Sequence, residues 1–206
     1  MHGYETHITV SADEPRLLRD DLPVWADENN LKFTHIKLPS GTFDSQPMLT
    51  YWQVGGLTDQ LSRADEIREA LAPRGIEVTR VKVEVSIEHS DVPSKPVEGC
   101  YFEHHVKVLI RAAQQLDGLR SAAFGVGGRL SRNARRTISD GSLERFVTLR
   151  SYDGSGADST RKCQKLIDSI TESGFEILEV ENEYVLFDSN QQLDAGWLTK
   201  GERNVV

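Results

Sequence analysis

Glu5 and His7 stand two apart in Tyr4-Glu5-Thr6-His7-Ile8-Thr9-Val10, and the same spacing returns 98 positions later in Phe102-Glu103-His104-His105-Val106-Lys107-Val108. Each copy reads aromatic, Glu, any residue, His, apolar, polar, Val. On an extended strand, residues two apart point to the same face. Each copy therefore sets a carboxylate beside an imidazole. His7 and His105 can act as general acid and base, with Glu5 and Glu103 setting tautomer and pKa. The same side chains can hold a metal: His7, His105, Glu84 and Glu183 would meet if the last strand of each copy lay beside its first. The plain structural alternative is a set of half-exposed sheet residues satisfied by cross-strand hydrogen bonds. Duplication copies a structural residue as readily as a reactive one.

The elements that must position these residues are legible from periodicity. Alternation over 4–10 and 31–38 predicts two strands. Between them a helix starts at Ser11-Ala12-Asp13-Glu14-Pro15 and runs to about Glu28, bent or broken by Pro23. A strand at 48–53, a helix at 57–72 with Leu61, Ala64, Ile67 and Leu71 inward, and a long strand at 76–87 complete the first half. The pattern then restarts with a strand at 101–109, a helix at 110–117, a strand at 119–124 and a Gly- and Arg-rich loop at 125–143. A strand at 145–150, a helix at 157–172 and a strand at 175–187 follow. Thr50 matches Thr148 at an offset of 98, while Gly75 matches Gly174, Ile67 matches Leu166, Val81 matches Val180 and Glu84 matches Glu183 at 99. The near-constant offset reads as an internal repeat.

The expected fold is therefore α+β: two tandem ferredoxin-like (βαββαβ) repeats related by a pseudo-twofold, at 1–92 and 99–188. A linker at 93–98 joins them, and a tail at 189–206 packs on the body through Leu193 and Trp197. Ile8 and Val10 take the helix side, so Glu5, His7 and Thr9 face away from the helices. His35, Thr50, Arg80, Lys82 and Glu84 share that face by alternation. Glu103, His105, Lys107, Thr148, Arg150, Glu181 and Glu183 share the second. If the two faces approach, they make a central polar cleft. Thr9, His35, Lys107 and Arg150 are candidate ligand-binding residues there. Arg129 and Arg132, from a loop that also holds Arg135 and Arg136, could close over a small anionic ligand. The simpler reading of that loop is a solvated segment balancing an acidic body.

Composition narrows the function classes. A net charge of −8 argues against broad nucleic-acid binding. With 38% hydrophobic and 27% charged residues, the chain can build a core and remain soluble. It has no apolar run long enough to span a membrane and no N-terminal signal run. Cys100 and Cys163 lack disulfide or metal spacing, which fits free thiols in a cytoplasmic protein. No nucleophile elbow, phosphate loop or dinucleotide glycine motif occurs, and the sequence names no cofactor.

His7-Ile8-Thr9-Val10 resembles one half of the signature of the two-His (2H) phosphoesterases, His-x-Thr or His-x-Ser on two pseudo-symmetric strands. The second copy, His105-Val106-Lys107-Val108, has lysine where a hydroxyl is expected. The resemblance implies His7 and His105 as acid and base, with Thr9 and Lys107 holding phosphate. A longer resemblance rests on Tyr4-Glu5-Thr6-His7, Ser45-Gln46-Pro47-Met48, Tyr101 to His105, Leu130 to Asn133, Arg145 to Arg150, and Asp188 to Trp197. It is to a bacterial family of similar length with no assigned activity, and it implies one two-repeat unit and no mechanism. The leading expectation is a phosphoesterase-like enzyme or a handler of nucleotide or phosphate ligands. The alternatives are a non-catalytic module that binds a ligand or protein, or forms a homodimer, and a metal-dependent lyase or oxygenase.

Overall fold

A computed structural model describes residues 3–37, 45–131, 136–137 and 142–198. In the first half, strand β1 (Tyr4–Ala12) leads into a π-wound turn at Leu17–Asp21 and helix α1 (Leu22–Glu28). Pro23 is the second residue of α1, directly after the π-wound turn, and the chain stays helical through Asp21 and Leu22. Strands β2 (Lys32–Lys37) and β3 (Ser45–Gln53), helix α2 (Leu57–Leu71) and strand β4 (Ile76–Ser86) follow. The second half holds β5 (Tyr101–Ile110), α3 (Leu116–Phe124), β6 (Arg129–Leu130), β7 (Arg136–Thr137), β8 (Leu143–Ser151), α4 (Gly156–Glu172) and β9 (Glu176–Asp188).

All the strands join one antiparallel sheet in the order β2-β3-β1-β4-β9-β5-β8-β6, with β7 also paired to β8. The seam between halves is the β4–β9 pair, where Lys82 stands opposite Asp188 and Val85 opposite Tyr184. The polar faces of the two halves are thus neighbouring parts of one surface rather than two sheets facing each other. Two equivalent features recur in the halves. The β1–β4 ladder shifts register between Thr9 and Val10, and the β5–β9 ladder between Lys107 and Val108. Gly75 and Gly174 both adopt positive φ, at 72° and 82°, after α2 and α4, where a side chain would be strained.

Sequence expectations in the second half are corrected: β5 extends to Ile110, and the helix expected at 110–117 lies at Leu116–Phe124. Residues 119–124 are helical, not a strand: Leu119 and Ala123, four apart, are both buried on one face of α3. The stretch at 125–143 is not simply a loop. Leu130 pairs with Val147 in β6, a two-residue strand too short to show alternation. The helices cover one face of the sheet. Ile8, Val10, Leu22, Ala26, Leu49, Leu71, Val81 and Val83 belong to the first core, and Val106, Val108, Leu119, Val147, Leu166 and Ile170 to the second. Among the described residues no helix is long and apolar enough to cross a membrane.

Buried polar groups also lie on the helix side, His104 among them. His104 is fully buried; its Nδ1 shares a hydrogen bond with Asn182 Oδ1 at 2.7 Å and its Nε2 another with Ser159 Oγ at 2.7 Å. The residue types suggest a nucleophile–base–orienter set, but His104 and Ser159 are both inaccessible, so the trio fastens α4 to the sheet. Burial lowers the His104 pKa. A base lowered on folding contributes stability that is complete above its unfolded pKa, near ~6.5, and is lost as pH falls through the folded value. Urea unfolding at pH 7.5, 6.5 and 5.5 is expected to show declining stability. In His104→Gln, which keeps a donor and an acceptor, the decline is expected to be shallower. It does not vanish, because burial lowers His105 as well. An unchanged pH slope in the variant would refute the assignment.

Candidate functional site

Strand alternation turns Glu5, His7 and Thr9 of β1 and Glu103 and His105 of β5 to the helix-free side. Because β4 and β9 join the halves, these residues line one cavity of about 470 Å³. A smaller cavity of about 290 Å³ shares Glu5, Trp52, Glu84, Glu181 and Glu183 with it.

The imidazoles are anchored alike. His7 lies opposite Thr50, and His105 opposite Thr148. His7 Nδ1 and Thr50 Oγ1 share a hydrogen bond of 2.8 Å, and His105 Nδ1 and Thr148 Oγ1 one of 3.0 Å. Both Nε2 atoms meet carboxylates. His7 Nε2 is 2.6 Å from Glu84 Oε1 and 3.6 Å from Glu5 Oε1. His105 Nε2 is 3.6 Å from Glu183 Oε2, a buried oxygen with no hydrogen-bond partner.

A ladder of buried ion pairs crosses from one half to the other. Lys82 Nζ is 2.7 Å from Glu84 Oε2 and donates to Glu103 Oε2 at 3.1 Å. Arg150 Nη2 donates to Glu103 Oε1 at 2.9 Å and to Asp194 Oδ2 at 2.8 Å. Arg80 reaches the same Asp194 oxygen at 3.1 Å and forms a two-pronged pair with Asp188 at 2.8 and 2.6 Å. The tail thus contributes a buried carboxylate to the floor, and Trp197 contributes to the wall.

Positions 98 or 99 apart differ in charge, and the charges decide the protonation states. Lys82 corresponds to Glu181 and Arg80 to Glu179 at an offset of 99, while Trp52 corresponds to Arg150 at 98. Burial by itself would raise Glu84, but Lys82 and His7 outweigh it and hold the carboxyl well below its usual range. Burial likewise opposes ionisation of Glu103, and Arg150 and Lys82 hold it well below. Glu183, the counterpart of Glu84, is pushed far up by burial and by the charge of Glu84. Glu5 is raised by burial, with His7 opposing and Glu84 assisting.

Of the residues predicted from sequence, Glu5, His7, Thr9, His35, Glu103, His105 and Arg150 line the large cavity. Lys107 does not: its ammonium pairs with Glu179 and lies 5.5 Å from the centre of the Phe146 ring. Arg129 does not either, since it stacks over Phe124 at 4.6 Å and donates to the Gly128 carbonyl. Arg132 lies outside the described residues. The expected metal set of two histidines and two glutamates is replaced. Among the described residues the converging donors are Glu5, His7 and Glu84, with their ligand atoms within 4.8 Å of one another. Sequence reasoning placed Arg80 and Lys82 on the right face but gave them no role, and it missed Asp194. Alternation marks a face; it does not say which charges on that face are paired.

No family model and no curated relative matches the chain. Solved structures with a distant likeness include the acetolactate synthase small subunit from Thermotoga maritima, at 11% identity and a TM-score of 0.33, over 87% of this chain and 92% of that one. A protein described as a putative chlorite dismutase gives 9% and 0.29 over 90% and 95%. A heme-binding protein from Thermus thermophilus gives 14% and 0.30 over 90% and 92%. Likenesses at this level carry no argument about what the cavity does.

Proposed function

We propose that the chain is a small-ligand-binding module of two tandem ferredoxin-like repeats related by a pseudo-twofold, whose central cavity favours a cationic ligand over a phosphate. One observation carries this reading. The buried cations of the cavity floor are each paired with an internal carboxylate: Arg80 with Asp188 and Asp194, Lys82 with Glu84 and Glu103, and Arg150 with Glu103 and Asp194. Glu5 and Glu183, by contrast, have only an imidazole within ion-pair distance among the described residues. A phosphate on the cavity floor would need cations released from buried pairs, which is costly in a desolvated site; the other lysines that line the cavity, Lys32 and Lys37, are exposed. The phosphoesterase-like reading takes His7 and His105 as acid and base with Thr9, Lys107, Arg129, Arg132 and Arg150 holding the anion, and this geometry supports it less.

The test is thermal denaturation with a diamine, inorganic phosphate or adenosine monophosphate at pH 7.5. A ligand at ~100 times its Kd stabilises the native state by about 2.7 kcal/mol, a readily measured shift. The diamine is expected to raise the melting temperature of the wild type and to do so less in Glu5→Gln. Stabilisation by phosphate or the nucleotide, with none by the diamine, would sink the reading.

A further inference from the structure

We infer that Glu5, His7 and Glu84 form a binding site for one first-row divalent metal ion, an inference that rests on the ligand-binding reading of the same cavity and names a ligand class for one corner of it. Three observations converge. First, the donors have the right types and spacing. A neutral imidazole nitrogen with two carboxylate oxygens suits borderline ions such as Mn²⁺, Co²⁺ or Zn²⁺. With metal–ligand bonds of about 2.0–2.2 Å, neighbouring donors stand about 3–3.5 Å apart. His7 Nε2 is 2.6 Å from Glu84 Oε1 and 3.6 Å from Glu5 Oε1, which brackets that edge length.

Second, the outer contacts are those that orient metal ligands. Thr50 Oγ1 holds Nδ1 of His7 at 2.8 Å, which aims Nε2 into the corner. Lys82 holds the other oxygen of Glu84 at 2.7 Å and fixes that carboxylate without occupying Oε1. Glu5 and Glu84 line both cavities, and His7 lines the larger one. Glu183, whose Oε2 is buried without a hydrogen-bond partner, also lines both cavities.

Third, the repeat itself supplies an internal control. The equivalent residues in the second half are Glu103, His105 and Glu183, yet they do not converge in the same way. Across the strand pair Glu5 faces Trp52, whereas Glu103 faces Arg150. Arg150 and Lys82 draw the Glu103 carboxylate into ion pairs at 2.9 and 3.1 Å. The duplicated Glu-x-His therefore builds one metal corner, and the other copy serves as a charge-paired support.

The experiment is titration of metal-stripped protein with Mn²⁺ and Co²⁺. Calorimetry reads the stoichiometry and electron spin echo modulation of bound Mn²⁺ reads the ligands. One equivalent per chain, a rise in melting temperature and modulation from a single imidazole nitrogen are expected. Glu5→Gln, at a position a quarter exposed and so tolerant of change, is expected to weaken binding at least about tenfold. Glu176→Gln, which removes an exposed carboxylate outside both cavities, should leave binding unaltered. Absence of binding, two equivalents, no nitrogen modulation, or equal affinity in the two variants would each overturn the site. The wild-type spectra carry the test even if a variant folds poorly. A stabilising diamine with no metal binding overturns this site alone; a diamine without effect, with metal bound as expected, overturns the broader cavity reading alone.

Discussion

Replacing Lys82 with methionine is expected to cost the fold about 3–5 kcal/mol at pH 7, the usual cost of removing one partner from a buried ion pair. Methionine keeps the apolar stem and deletes the charge. The side chain of Lys82 is 11% exposed, and the two carboxylates it serves, Glu84 and Glu103, are 2% and 3% exposed. Neither is left wholly alone, since Glu84 keeps His7 and Glu103 keeps Arg150. Each nonetheless loses a cation it cannot replace from water. The pH dependence has a definite sign. The folded pKa of Glu103 lies below its unfolded value, so the stability drawn from its ion pairs is present above ~4.3 and disappears as pH falls through the folded pKa. The gap between wild type and Lys82→Met should therefore be widest near neutrality and narrow in acid. Urea unfolding measures it. A difference under about 0.5 kcal/mol at pH 7, the range of ordinary surface changes, would mean the ladder does not exist in solution. Adding Glu103→Gln to the variant should recover part of the loss, because the orphaned charge is then gone.

The same ladder shows where sequence reading stops. Alternation put Glu5, His7 and Thr9 on the helix-free face because a strand has only two faces. The offset of 98 to 99 carried that assignment into the second half. Both are local signals. The β4–β9 seam is not local. An antiparallel pairing between the last strands of the two halves leaves no mark in either strand's own pattern, so the meeting of the two faces is not legible in the sequence. Charge partners were invisible for the same reason. Lys82 and Glu103 are on different halves, and a lysine on an alternating strand looks the same whether it is solvated or buried between carboxylates. The misread segment at 119–124 has another cause. Six residues with Leu119, Ala122, Ala123 and Phe124 satisfy a short strand and a short helix equally, and only burial of Leu119 with Ala123 separates them. Lys107 looked like a phosphate ligand because Thr9 occupies the matching place. Glu179, at the place of Arg80, is what takes it out of the cavity.

Asp194→Asn is expected to destabilise the protein by about 3 kcal/mol and to loosen the tail. One oxygen of this carboxylate bridges Arg80 of β4 and Arg150 of β8, at 3.1 and 2.8 Å, so a single tail residue ties the two halves of the sheet together. The backbone around it is fixed by the same contacts. Gln46 of β3 donates to the Leu193 carbonyl at 3.1 Å, and Leu198 N donates to the Asp194 carbonyl at 2.9 Å. Leu193 and Leu198 are buried beside it. Asparagine keeps the shape and one carbonyl oxygen but removes the charge. Arg80 would keep Asp188, and Arg150 would keep Glu103, so the arginines should not be expelled. The lost term is their shared counter-charge, which also offsets their repulsion across the floor. Chemical denaturation reads the stability, and limited proteolysis of the native protein reads the tail, which should be cut faster in the variant. Neutral stability with unchanged proteolysis would show that hydrophobic contacts alone hold the tail. Loss of stability without faster cleavage would instead place the Asp194 contribution in joining the halves, which the cooperativity of unfolding would report as two transitions in place of one.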